Sequence, residues 1–171
     1  MVAAALAVLH GANPYLPSAT LLALLKSTAT PVPGYSFGTL QAGKAAALLV
    51  PDLQPEGGQA FAGDSLSVAY RLPPTGAALD IYVAVDTPLG SFSLRPDGAW
   101  QPAATAGYVA LAAGYATNGT SGTLFGDKGI FPAIPLAGLP AGAYSWRIAL
   151  FDPRRQRLIG PVVSSALQVV P

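Results

Sequence analysis

The sequence predicts an α+β protein in two parts: a short all-helical N-terminal region of three helices, then an all-β antiparallel sandwich. Three observations carry that expectation. Through residue 50, Ala and Leu dominate and recur at helical spacing. Beyond residue 58 the apolar period shortens to two. The 19 Gly and 17 Pro of the 171 residues supply turn signals between short elements, while 51% hydrophobic residues still suffice for a core.

The first helix is expected over Val2 to His10, stopped by Gly11 and followed by an Asn13-Pro14 turn. A second runs from Ser18 to Ser27, with Leu21, Leu24 and Leu25 on one face and Lys26 in its last turn, where a cation complements the helix dipole. The Pro31-Val32-Pro33-Gly34 break then leads to a third, about Leu40 to Leu49. Residues 51–58, rich in Pro, Gly and polar groups without periodicity, read as a linker, which places the helical region at 1–50 and the β-region at 59–171.

In the β-region Leu66, Val68, Tyr70 and Leu72 alternate with Ser65, Ser67, Ala69 and Arg71. The same alternation sets Leu79, Ile81, Val83 and Val85 on one face, and again Tyr144, Trp146, Ile148 and Leu150, with Leu167 and Val169 near the end. Turn signals at 73–76, 87–90, 96–98, 139–142 and 152–155 separate these half-buried strands, as an antiparallel sandwich requires. Within 101–137, Tyr108 to Leu111 and Thr123 to Phe125 are candidate strands without an assignable register.

Charge and composition exclude several functions. Nine Lys and Arg against eight Asp and Glu leave a net charge of +1, too little to attract nucleic acid or an anionic membrane surface. With no cysteine, disulfides, thiol catalysis and Cys-ligated zinc are ruled out. The apolar opening, Met1 to Leu9, is far shorter than the ~20 residues of a membrane-spanning helix. It also lacks the basic start of a signal peptide, the first cation being Lys26.

That opening carries a demand of its own. No residue from Met1 to Leu9 is charged or strongly polar, so the helix needs neighbours on every side. Burying a Val or Leu side chain is worth about 1.5–3 kcal/mol, so a wet flank at Val2, Leu6, Val8 and Leu9 would forfeit several kcal/mol. Two further helices are too few to surround it. The cover must come from the β-region, a partner, or the body of a longer protein.

The first 49 residues resemble the end of the catalytic domain of subtilisin-like serine proteases. In that family Gly-Thr-Ser-Met-Ala-x-Pro-His-Val-Ala-Gly places the nucleophilic serine at the start of a helix that runs through the core. Met1-Val2-Ala3-Ala4-Ala5-Leu6-Ala7-Val8-Leu9 resembles its continuation. The family's following features, in order, are similar to Asn13-Pro14, Leu25-Lys26-Ser27-Thr28-Ala29, Tyr35-Ser36-Phe37-Gly38 and Lys44-Ala45-Ala46. The sequence departs from the pattern at Ser36, Pro17 and Gln41-Ala42. The resemblance implies descent from a bacterial secreted or cell-surface endopeptidase. It also implies that the nucleophile would lie about five residues before Met1, with the triad's Asp and His earlier still. This chain would then hold no catalytic residue, and its partner would be the remainder of the catalytic domain. The order Gly63-Asp64-Ser65-Leu66, Leu79 to Val85 and Leu139 to Trp146 resembles Ig-like β-sandwich modules of bacterial exported enzymes, which implies an accessory role.

The residues themselves agree with an absence of catalysis. His10, the single histidine, ends an apolar helix, where it suits the dipole rather than a triad. The acids Asp52, Glu56, Asp64, Asp80, Asp86, Asp97, Asp127 and Asp152 are scattered, with turn and strand-exit positions explaining most of them. The glycines of 114–129 lack the Lys-Ser/Thr ending of a phosphate loop, so neither metal nor cofactor is expected. Arg154, Arg155 and Arg157 read as a solvated hairpin tip. Among the aromatic residues, Tyr144 and Trp146 fall on the inward register. Tyr82 lies outward and Trp100 follows a turn, making those two the candidate contact surface for an extracellular glycan or protein. A non-enzymatic binding module and a structural spacer are the alternative readings.

Overall fold

The computed structural model describes residues 1–35 and 38–171. It is a mixed α+β chain, mainly β. Helices α1 (Val2–Ala12), α2 (Ser18–Thr28) and α3 (Ala42–Ala47) lead, with the two-residue strands β1 (Thr30–Pro31) and β2 (Gly38–Thr39) paired between the last two. Ser36 and Phe37 of the Tyr35-Ser36-Phe37-Gly38 step lie outside the described residues. Then follow β3 (Asp52–Pro55), β4 (Gln59–Phe61), β5 (Ser65–Leu66), β6 (Val68–Pro74), β7 (Leu79–Thr87), β8 (Gly90–Leu94) and β9 (Trp100–Pro102). A single-turn helix α4 (Ala103–Ala106) precedes β10 (Ala112–Tyr115), β11 (Asn118–Phe125), β12 (Ile134–Pro135), β13 (Gly142–Asp152) and β14 (Arg157–Val170).

The helices close on one another around Leu9, Leu16, Leu21, Leu25, Ala45 and Leu49. Helix α1 does not stop at Gly11 as the sequence suggests. It continues to Ala12, and the Asn13 N–H still bonds to the Leu9 carbonyl at 3.0 Å. Gly11 can stay helical because the turn is made by Asn13-Pro14, which ends the helix by its own chemistry.

Two sheets share one core. The larger runs β4-β14-β13-β7-β8-β9, with β10 also on β7; the smaller runs β11-β6-β3. Among the named strands the pairings are antiparallel except that of β14 with β4. Between the sheets Leu53, Val68, Leu72 and Leu124 of the smaller meet Ile81, Val83, Val85, Trp146, Ile148 and Leu150 of the larger. Apart from Leu53 and Leu124, these are the period-two residues of the sequence, so their register follows from which face must be dry.

Two expectations need correction. The presumed linker 51–58 contains β3, which pairs with β6 in the register Leu53↔Tyr70 and buries Leu53. A strand at the edge of its sheet tolerates the prolines that concealed it. Tyr108 to Leu111 is not a strand; instead Ser93 and Val109 bond reciprocally, hydroxyl to carbonyl at 3.2 Å and N–H to hydroxyl at 3.1 Å. Thr123 to Phe125 is a strand, as expected, and forms the end of the longer β11.

Among the described residues no helix is long and apolar enough to cross a membrane.

Candidate functional site

The alternation along β7 sends Ile81, Val83 and Val85 into the core and Tyr82 to the outer face. There Tyr82 meets Phe151 edge-on, ring centroids 6.1 Å apart and planes at 85°. With Tyr108, Arg147, Ala149 and Leu158 it lines a shallow groove of about 410 Å³. Arg147 is held at the groove by an ion pair with Asp86, whose other oxygen accepts from the Ser91 hydroxyl at 2.6 Å. Asp86 is therefore occupied in orienting Arg147, and Asp80 on the same strand accepts from the Gly114 N–H at 2.8 Å.

Trp100 is not part of this surface. Its strand β9 turns the indole inward, where it stacks on Phe125 at 5.9 Å and 19° and meets Trp146 edge-on at 5.7 Å. Tyr82 and Trp100 thus belong to opposite faces of one sheet. The position after a turn misled because the register of β9 is set by its pairing with β8, Leu94↔Trp100, and Leu94 is wholly buried. Tyr108, which has no assignable register in the sequence, is the aromatic that joins Tyr82.

The junction between helices and sheets holds the most specific polar geometry in the chain. Asn13, 1% exposed, donates from Nδ2 to the carbonyls of Pro74 at 3.0 Å and Thr75 at 3.2 Å, while its Oδ1 accepts from the Tyr15 N–H at 3.1 Å. Gly76, at φ +67°, packs so closely that a Cβ would stand 2.6 Å from the Tyr15 carbonyl oxygen. The Tyr15 hydroxyl donates to the Asp152 carboxylate, and the Arg155 guanidinium lies 5.0 Å over the Tyr15 ring. Arg71 Nη2 adds a bond to the Ala47 carbonyl at 3.2 Å.

Asp152 is buried and also accepts from the N–H groups of Arg154 and Arg155. The Tyr15 hydroxyl, more than these backbone donors and the Arg155 charge, holds its carboxyl below the ordinary range against the opposing effect of desolvation. The same hydrogen bond, with burial, pushes the Tyr15 hydroxyl up, since losing its proton would set two anions together. Burial alone raises the Tyr144 hydroxyl, which donates to the Pro140 carbonyl at 2.8 Å. The basic tip is accordingly not a purely solvated turn: Arg155 covers Tyr15. In the sequence Asn13 reads as part of a local turn and Asp152 as a hairpin start. Neither shows its long-range partner, because the bonds span some 60 and 137 positions.

His10 is exposed in the last turn of α1. Among the described residues no three His, Asp or Glu side chains gather into a metal-holding group. The remaining distinctive feature is α1 itself. Residues 1–4 are exposed, and Val8 is 61% exposed on its flank.

No protein-family model matches the chain, and no curated protein matches it. Solved structures of a β-glucosidase from Listeria innocua show a faint similarity. The complex with glucose is 14% identical over 71% of this chain and 16% of its own, at a TM-score of 0.30. A mutant bound to laminaribiose gives 12%, 86%, 21% and 0.29, and the isofagomine complex 13%, 85%, 21% and 0.29. The chain spans 16% to 21% of the length of these structures, and likeness of this degree defines neither fold nor function.

Proposed function

We propose that this chain is the C-terminal part of a bacterial secreted or cell-surface subtilisin-like serine endopeptidase. Its three helices complete the catalytic domain, and an Ig-like β-sandwich, clamped to them, stabilises or targets the parent enzyme. The chain supplies none of the catalytic Asp, His and Ser and cleaves nothing alone. The observation that carries this reading is α1: an apolar helix whose first turn and Val8 flank are left exposed among the described residues. In a subtilisin-like domain that helix would run through the core. The junction adds support. Asn13, Tyr15 and Gly76 fix the β-region against the helices through buried contacts, which suits an accessory part that shares the stability of its parent.

The test is hydrolysis of a generic peptide substrate by the purified chain. No turnover above background is expected. Turnover abolished by a serine-directed inhibitor would overturn the assignment, since it would require a complete triad within these residues.

A second reading, a non-enzymatic module binding extracellular glycan, is favoured by the outer groove, where Tyr82, Tyr108 and Phe151 offer aromatic faces beside the Arg147–Asp86 pair. Retention on immobilised glycan or cell wall that falls with Tyr82→Ala and not with a distant surface variant would support it. Equal retention of both variants would remove it.

A further inference from the structure

The chain contains two asparagines, and the fold places them in opposite settings. Asn13 is buried, makes three hydrogen bonds and is followed by Pro14, whose nitrogen carries no hydrogen. Asn118 is exposed and followed by Gly119, and its side-chain amide makes no hydrogen bond among the described residues. It is the first residue of β11 and stands opposite Pro74, which has no N–H to give the ladder. Gly119 is exposed as well, and at φ +105° it departs from regular strand geometry. No side chain of its own shields its nitrogen, and its N–H donates to the Thr117 hydroxyl at 3.0 Å.

We infer that Asn118 is a site of spontaneous modification, converted through a cyclic imide to aspartate and isoaspartate, and that the isoaspartyl form loosens the junction between helices and sheets. The Gly119 nitrogen gives its proton to solvent base and bonds to the Asn118 Cγ. The Cγ–Nδ2 bond then breaks, and the amide takes up a proton and leaves as ammonia. Water opens the resulting imide. Cleavage of its bond to Cγ gives aspartate; cleavage of its bond to the main-chain carbonyl leaves Gly119 attached through Cβ and Cγ, as isoaspartate. In sum one water is consumed and one ammonia released, with no change of oxidation state. Asp97-Gly98 has a similar order, yet Asp97 forms an ion pair with Arg95 at 3.0 Å, and a carboxylate is a poor electrophile.

The position gives this change its reach. The Thr117 carbonyl accepts from the Thr75 N–H at 2.9 Å, and the Thr117 N–H donates to the Thr75 hydroxyl at 3.1 Å. A Cβ on Gly119 would lie 3.6 Å from the Pro74 ring. Pro74 and Thr75 are the two residues whose carbonyls accept from Asn13. Isoaspartate inserts one extra main-chain carbon at position 118 and turns the former main-chain carbonyl into a carboxylate. It therefore displaces the start of β11 against the segment that Asn13 grips. This site is independent of the protease reading, and either can fail without the other.

The test is peptide mapping by mass spectrometry of the folded chain held in mildly alkaline buffer, with Asn118→Gln as the control. Conversion of amide to acid is expected at Asn118 and not at Asn13, with isoaspartate and aspartate both formed. Its rate should rise about tenfold per pH unit, as does the deprotonated fraction of the attacking nitrogen. Asn118→Gln should stay unconverted, because its longer side chain closes the ring far more slowly. The isoaspartyl fraction, separated by chromatography, is expected to lose its helix circular dichroism at lower urea than either the unmodified chain or Asn118→Asp, which adds the charge without the extra carbon. A folded chain that keeps its amide, or aspartate as the sole product, would overturn the imide route. Unfolding of the isoaspartyl chain that coincides with that of Asn118→Asp would overturn the coupling to the junction.

Discussion

Replacing Asn13 by alanine cuts the junction at its centre. The side chain makes three hydrogen bonds, two donated to the Pro74 and Thr75 carbonyls and one accepted from the Tyr15 N–H, and it is almost completely buried. A net hydrogen bond contributes about 0.5–1.5 kcal/mol, and a buried group left unpaired costs about 1–3 kcal/mol. Because water can reach Pro74, which is only partly buried, the summed cost is set at about 2–4 kcal/mol. The assay is urea unfolding followed by two probes: circular dichroism at the helix band, and the fluorescence of Trp100 and Trp146, both in the β-region. With the junction intact the two curves should coincide. In Asn13→Ala the helix signal should be lost at lower urea than the fluorescence. A loss below about 0.5 kcal/mol with coincident curves, the range of an ordinary surface change, would refute the reasoning that Asn13 couples the two regions.

Other outcomes follow from the same geometry. Gly76→Ala must place a Cβ against the Tyr15 carbonyl at a left-handed φ, so it should destabilise by roughly 2 kcal/mol or more, while Gly58→Ala, with open space around it, should be near neutral in the same urea assay. The Tyr15–Asp152 pair should give the junction stability at both flanks of a neutral plateau. Asp152, with its carboxyl lowered, contributes above the ordinary carboxylate value and loses that as pH falls through its folded-state value. Tyr15, raised, contributes below its ordinary 10.0 and loses that as pH rises through the higher folded value, so Tyr15→Phe should flatten the alkaline limb of a stability–pH curve. Trp100→Ala should lower thermal stability by about 2–4 kcal/mol, because it empties part of an aromatic cluster, whereas Tyr82→Ala on the outer face should cost about 1 kcal/mol. Val8→Glu should leave this chain's stability within about 0.5 kcal/mol, since the side chain faces water, yet should disable an enzyme whose core received it.

What the sequence discloses and what it hides have a physical basis. The strands with strict alternation, such as Leu79 to Val85 and Tyr144 to Leu150, are legible because one face of each must be dry, and burial of those residues matches the period. Helix α2 is legible from its leucine spacing and its cation near the C-terminus. Strand β3 is hidden because Pro and polar residues at an edge carry no periodic signal, and β11 because Gly119 and Gly122 interrupt it. Trp100 is misplaced since a turn says nothing about which face the next strand presents. At the candidate sites, Tyr82 and Arg147 were readable as outward residues, but their joining with Tyr108 depends on a loop whose course comes from the Ser93–Val109 bonds. Asn13, Tyr15 and Asp152 form a junction through partners distant in the chain, and local patterns contain no trace of such contacts.

The most direct test of the central claim is the nucleotide sequence immediately upstream of the codon for Met1. An uninterrupted reading frame is expected there, encoding a protease body that ends in Gly-Thr-Ser-Met and the segment that leads into α1. An in-frame stop codon directly before Met1, with translation starting there, would contradict the claim that α1 belongs inside a larger catalytic domain.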